Sequence, residues 1–157
     1  MNVEYINPFL VSISNVLKEI IPSLQVTRGQ LVKRVGTPMT SHGCASLIGI
    51  TGSVEGRVVF DMSKQTALNI AGGMNGETFN EFDYMVSSTI NELANMVCGG
   101  AITILNNNGK NLDISAPTIF TGNDLELYDS NVLKEAVVVP IHTNLGDIFV
   151  NVAIKEI

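Results

Sequence analysis

The chain has 157 residues, of which 45% are hydrophobic and 15% charged, and its mean hydropathy is +0.28. That supplies one domain with material for a buried core and argues against a disordered segment. A net charge of −6, with no basic cluster longer than Lys33-Arg34, speaks against nucleic acid and anionic membrane surfaces as partners.

Residues 4–21 place Ile6, Leu10, Ile13, Leu17 and Ile20 at helical spacing. A first helix is predicted there, with Pro8 in its first turn and Pro22 as its stop. Three β-like runs follow, Gln25–Val35, Ala45–Thr51 and Arg57–Met62. Turn signals at Gly36-Thr37-Pro38 and across Gly52–Gly56 separate them. Ser63 reads as the N-cap of a short helix to about Gly72, ended by Gly73-Met74-Asn75-Gly76. A long helix is predicted from Asn80 to Leu105. Glu81 and Asp83 stand in its first turn, where the macrodipole favours acids, and Asn106 to Gly109 close it. The strands Asn111–Phe120, Leu133–His142 and Asp147–Ile154 complete the chain, with Asn144-Leu145-Gly146 as the last hairpin turn.

The expected fold is α/β, or α+β in stricter wording: a mainly antiparallel sheet packed against two long helices. The order helix, three strands, short helix, then helix, three strands suggests one domain, 1–157, of two pseudo-repeated halves, about 1–76 and 77–157. No basic leader and no apolar run of about 18 residues is present, so a soluble cytoplasmic protein is expected. Cys44 and Cys98 have no CxxC spacing and read as small buried hydrophobes.

The long helix is unusual in its polar side. With Glu92 set at zero and about 100° per residue, Asn95 falls near −60°, Ser88 near −40° and Gly99 near −20°. Phe82, Val86, Ile90, Leu93, Val97, Ala101 and Ile104 form the core stripe, between about 80° and 180°. Met85 and Met96 fall beside the polar stripe, near 20° and 40°. A mid-helix Asn competes for backbone hydrogen bonds, and each of Gly99 and Gly100 costs about 1 kcal/mol relative to Ala. Two readings stand: a solvated helix face, or a contact surface with chemistry in it.

Other chemistry is sparse. His42 and His142 form no zinc-type ligand set, and no Gly-x-Ser-x-Gly elbow occurs. Gly72 to Gly76 lacks the GK[ST] ending of a phosphate loop. Asp113, Asp124, Glu126 and Asp129 lack EF-hand spacing and read as surface acids.

The pattern Ser88-x-x-x-Glu92-x-x-Asn95, followed about twenty residues later by Ala116-Pro117 in a strand, resembles the signature of the CheC/CheX/FliY phosphatases. The helix Ile90–Ala101 and the segment Ser115–Gly122 look most like CheX, and the resemblance covers essentially the whole chain. It implies hydrolysis of the aspartyl phosphate of a CheY-type response regulator in chemotaxis signalling. Asn95 would position water and Glu92 would pair with the receiver's lysine. Met85, Ser88, Met96 and Gly99 would bind the partner. No cofactor or metal is expected on this chain, and Mg2+ is expected in the receiver. A homodimer is expected of this family. Aligned on Glu19, the first half has Pro22 where the second has Asn95, which points to a single-site type. The alternative is a non-catalytic CheX-like module that binds a receiver domain or a chemotaxis or flagellar-switch protein.

Overall fold

Strands with alternating inward and outward residues build one antiparallel sheet, and the buried stripes of three helices pack on one of its faces. The computed structural model describes residues 3–36, 38–130, 133 and 135–157. The expected turn Gly36-Thr37-Pro38 and position 134 of the expected strand Leu133–His142 fall partly outside these residues.

Helix α1 (Val3–Ile20) leads to β1 (Val26–Arg28), β2 (Val32–Val35) and β3 (Met39–Thr40). The hairpin β4 (Cys44–Gly52) and β5 (Val54–Met62) precedes α2 (Lys64–Asn75) and α3 (Tyr84–Asn107). Then come β6 (Leu112–Ile114), β7 (Thr118–Thr121), β8 (Glu126–Leu127) and the hairpin β9 (Glu135–Thr143) and β10 (Gly146–Glu156). The main sheet has the order β1-β9-β10-β5-β4-β6, with β2 also on β9 and β7 also on β4. Strands of the two halves therefore interleave, and β5 pairs with β10 at the centre. The short β3 and β8 pair apart from the main sheet.

Val58, Phe60 and Met62 of β5 and Val150, Val152 and Ile154 of β10 face the helices in one shared core. Helix α1 crosses α3 closely. The buried Ser12 hydroxyl donates to the Val97 carbonyl at 2.7 Å. A Cβ on Gly100 would fall closer than 3.0 Å to Ser12 Oγ, so packing requires glycine there.

Several expectations need correction. Pro8 lies in the second turn of α1, where its missing N–H removes a helix bond. Helix α2 runs through Gly72 and Gly73 to Asn75, and Gly76 caps it in the left-handed conformation, φ 68°. Ser63 is its N-cap, as expected. Helix α3 begins at Tyr84, because Asp83 is extended and accepts from the Val86 N–H at 3.0 Å. Glu81 and Phe82 thus precede the helix, and Phe82 packs on the core edge from outside it.

Two expected strands are interrupted, each by one extra residue. Between the pairs Arg28–Ile141 and Val32–Val138, the outer strand has three residues against two. The disruption sits opposite Pro140, which has no N–H to continue the ladder. On the far edge, Ile114 pairs with Ile50 and Thr118 with Leu47, again three residues against two. Ser115 holds that bulge: its N–H donates to the Gly49 carbonyl at 2.9 Å, and its hydroxyl accepts from the Gly49 N–H at 2.8 Å. Pro117 is therefore in the bulge between β6 and β7, not within a strand.

Candidate functional site

The sheet-side and α1-side surfaces of α3 are consumed by packing, from Val86 to Leu105. This leaves one outward strip, and on it Ser88, Glu92 and Asn95 are exposed. Their side chains make no hydrogen bond or ion pair among the described residues. The bulge between β6 and β7 raises Ala116 and Pro117 opposite them. Helix and bulge enclose a shallow depression of about 390 Å³. Ser88, Glu92 and Asn95 form its helical wall with Asn91, and Ala116 and Pro117 form the other. Tyr84, 85% exposed, stands at its helix-start end.

The depression is open, its surface shared between polar and apolar groups, and it contains no enclosed apolar chamber for a small substrate. A carboxylate and a carboxamide with unused capacity are presented one turn apart beside a rigid proline. Such a surface can accept a cation and can both donate to and accept from water. It supplies no thiolate or imidazole nucleophile. Cys44 and Cys98 are fully buried, and burial pushes each thiol up to about 12. Among the described residues no group of three or more His, Cys, Asp or Glu could hold a metal ion.

The remaining expected residues flank the depression without lining it. Met85 is exposed, and Met96 and Gly99 are half-buried. The two adjacent glycines have different causes. Gly100 is explained by the α1 crossing, whereas a Cβ on Gly99 would meet nothing within 4 Å. Internal packing therefore does not ask for glycine at 99.

Sequence reasoning missed Asn91 and Tyr84 as parts of this surface. Asn91 precedes Asn95 by four residues, so helical spacing already made them neighbours. Its partner Ser46 lies on β4 and carries no local signal. The Ser46 hydroxyl, fully buried, donates to Asn91 Oδ1 at 2.8 Å. From the other side, Asn75 Nδ2 donates to Thr89 Oγ1 at 2.8 Å, tying α2 to the same turn of α3.

A larger cavity, about 600 Å³, lies on the sheet face away from the helices. Two groups of its polar side chains are bonded to one another. Arg57 donates through Nε and Nη2 to the two oxygens of Asp129, each at 2.8 Å, and through Nη1 to Asn151 Oδ1 at 2.6 Å. Asp61, buried, accepts from the Ser41 hydroxyl at 2.6 Å and from the His42 N–H at 3.0 Å, and pairs with the His42 ring. That ring stacks on Phe149, with centroids 4.4 Å apart. These bonds hold the loops to the sheet. They also correct the reading of Asp129 as a surface acid, and they account for His42. His142 pairs with Asp147 at 2.9 Å near the end of β9.

Comparison with known proteins identifies the family and the fold. The family model for chemotaxis phosphatase CheX matches residues 44–142. The CheY-P phosphatase CheX of Thermotoga maritima is 30% identical over 135 residues, 85% of each chain. A crystal structure of a CheX–CheY–BeF3–Mg2+ complex from Borrelia burgdorferi contains a chain 30% identical. It superposes with a TM-score of 0.83 over 99% of this chain and 100% of that one. The chemotaxis protein CheX from Vibrio vulnificus superposes with a TM-score of 0.84 at 27% identity, over 97% of this chain and 99% of that one. The chain belongs to the CheX family of chemotaxis phosphatases.

Proposed function

We propose that this protein hydrolyses the aspartyl phosphate of a CheY-type response regulator in chemotaxis signalling, with the outward strip of α3 as its half of the active site. The observation that carries this reading is the pair Glu92 and Asn95, exposed, one turn apart and unpaired among the described residues, opposite Pro117. A convex helix edge beside a shallow depression suits insertion into the cleft of another protein.

An aspartyl phosphate is an activated acyl phosphate, so the missing component is a positioned water. The receiver brings a divalent cation, Mg2+, and a lysine, which neutralise the phosphoryl oxygens. Asn95 holds the attacking water in line through its amide, which both donates and accepts. Its lone pair and N–H orient the water without removing a proton, and a loose transition state needs no strong base. Glu92 accepts from the receiver lysine in a charge-assisted bond and thereby sets the depth of Asn95. Ser88 extends the polar contact. Met85, Met96 and Gly99 form its margin, Met by adapting its shape and Gly99 by admitting close approach. This chain itself holds no cofactor. It works in the cytoplasm, where the receivers are phosphorylated, and as a homodimer.

No described helix is long and apolar enough to cross a membrane. The test is the loss of phosphate from a purified, phosphorylated receiver with this protein added. Acceleration by the wild type, abolished in Asn95→Ala with receiver binding retained, is the expected result. Full activity in Asn95→Ala would refute the role of the amide. Binding without acceleration by the wild type would favour a non-catalytic receiver-binding module.

A further inference from the structure

The buried hydroxyl of Ser46 needs an acceptor, since an orphaned polar group in a core costs more than the bond returns. Asn91 supplies it through Oδ1 at 2.8 Å. That bond consumes the oxygen end of the amide and fixes its orientation. The other end, Nδ2, has no hydrogen-bond partner among the described residues, yet Asn91 lines the depression with Glu92 and Asn95. An amide held by its oxygen from beneath presents a donor to whatever occupies the depression.

The anchor point is also significant. Ser46 lies on β4 opposite Ile119 of β7, and β7 starts directly after Pro117. The Ser46–Asn91 bond therefore ties α3 to the strand pair that carries the opposite wall.

We propose that Asn91 is a second functional amide of this surface, a partner-positioning residue. Ser46 orients it, and Nδ2 donates to an oxygen acceptor on the docked receiver domain. This rests on the receiver-phosphatase reading above and adds a contact which that reading does not require. The acceptor is either a phosphoryl oxygen or an oxygen of the receiver's own surface, and the hydrogen-bond chemistry is the same for both.

The test uses the full chain with a CheY-type receiver. Asn91→Asp keeps an acceptor for Ser46 but removes the donor. The double variant Ser46→Ala/Asn91→Ala removes both partners, which avoids an orphaned hydroxyl and adds no charge. Both variants should raise KM for the phosphorylated receiver by about three- to tenfold, the size of one hydrogen bond. The kcat should stay within about twofold, and the double variant should unfold within a few degrees of the wild type, as expected when both partners leave together. A purely structural role for Asn91 would lower the melting temperature and leave KM unchanged. Ser46→Ala alone frees the amide to rotate and should raise KM less. Binding measured with and without beryllofluoride separates the two acceptors: weakening in both states identifies the receiver's surface, and weakening only with beryllofluoride identifies the phosphoryl oxygens. Wild-type KM in both Asn91→Asp and the double variant overturns the proposal while leaving the phosphatase reading intact. No acceleration by the wild type removes that reading, and this one with it.

Discussion

Gly99 and Gly100 are adjacent in sequence and alike in helix propensity, yet alanine should act on them with opposite sign. At Gly100 the new methyl would collide with Ser12 Oγ at the α1–α3 crossing. The Ser12 side chain must then turn away, losing its buried bond to the Val97 carbonyl. An orphaned buried hydroxyl costs about 1–3 kcal/mol, and a methyl forced into a packed contact costs about 1–3 more. Better helix propensity returns about 1 kcal/mol. The net expectation for Gly100→Ala is a loss of roughly 1–5 kcal/mol, or a fall of roughly 2–20 °C in melting temperature for a domain of this size. At Gly99 a methyl meets nothing within 4 Å, so only the propensity term remains. Gly99→Ala should gain up to about 1 kcal/mol, or about 2–4 °C. Urea unfolding at 25 °C measures both, with the m-value held as a check on the two-state comparison. Equal stability of the two variants would refute the reasoning, because it would mean that α1 does not press on α3 at Gly100. If Gly99 serves the partner surface, Gly99→Ala should also raise KM for the phosphorylated receiver while stabilising the fold.

Three other perturbations test different parts of the molecule. Glu92→Ala should weaken receiver binding and slow phosphate loss together, and the residual activity should depend less on ionic strength than that of the wild type. Arg57→Ala leaves Asp129 and Asn151 without their guanidinium partner and should destabilise by about 3–5 kcal/mol, with kcat unchanged in the fraction that remains folded. Activity lost without loss of stability would instead place the larger cavity in the reaction. The thiols of Cys44 and Cys98 rise by burial from 9.0 to about 12, so the folded state keeps protons that the unfolded state releases. Their contribution is fully present below about pH 9 and is lost as pH rises towards 12, at about 1.4 kcal/mol per pH unit for each thiol. Urea midpoints between pH 8 and 11 should show this slope, and Cys98→Ser should flatten it.

The sequence made the helices legible because their signals are local. Ser63 and the apolar spacing in 4–21 and 86–105 are read within a few residues, and the Ser88–Asn95 strip follows from helical geometry. Features set by distant strands were hidden. Pro140 opposes residues more than a hundred positions earlier, and the Ser115 bulge depends on Gly49 across the sheet. Pro117 was therefore assigned to a strand, although its place in a bulge is what raises it into the site. The two glycines of α3 looked equivalent for the same reason, since only the α1 crossing separates them. Asp129 carried no mark of its link to Arg57, a residue 72 positions away. Asn91 was overlooked because Ser46, which orients it, lies 45 residues earlier.

The interleaved sheet also dictates when this molecule can fold. Strand β10 follows every other element in the chain, yet it occupies the middle of the sheet between β5 and β9. Until it leaves the ribosome, β5 has an open edge and the first hairpin has no partner for its inner side. Strands β1 and β2 likewise wait for β9, more than a hundred residues downstream. Closure of such distant pairs costs loop entropy before any contact rewards it, so folding should be slow and should wait for the last strand. During that wait α3 has no complete sheet beneath it, so the Ser88–Asn95 strip takes its final geometry only once β10 is in place.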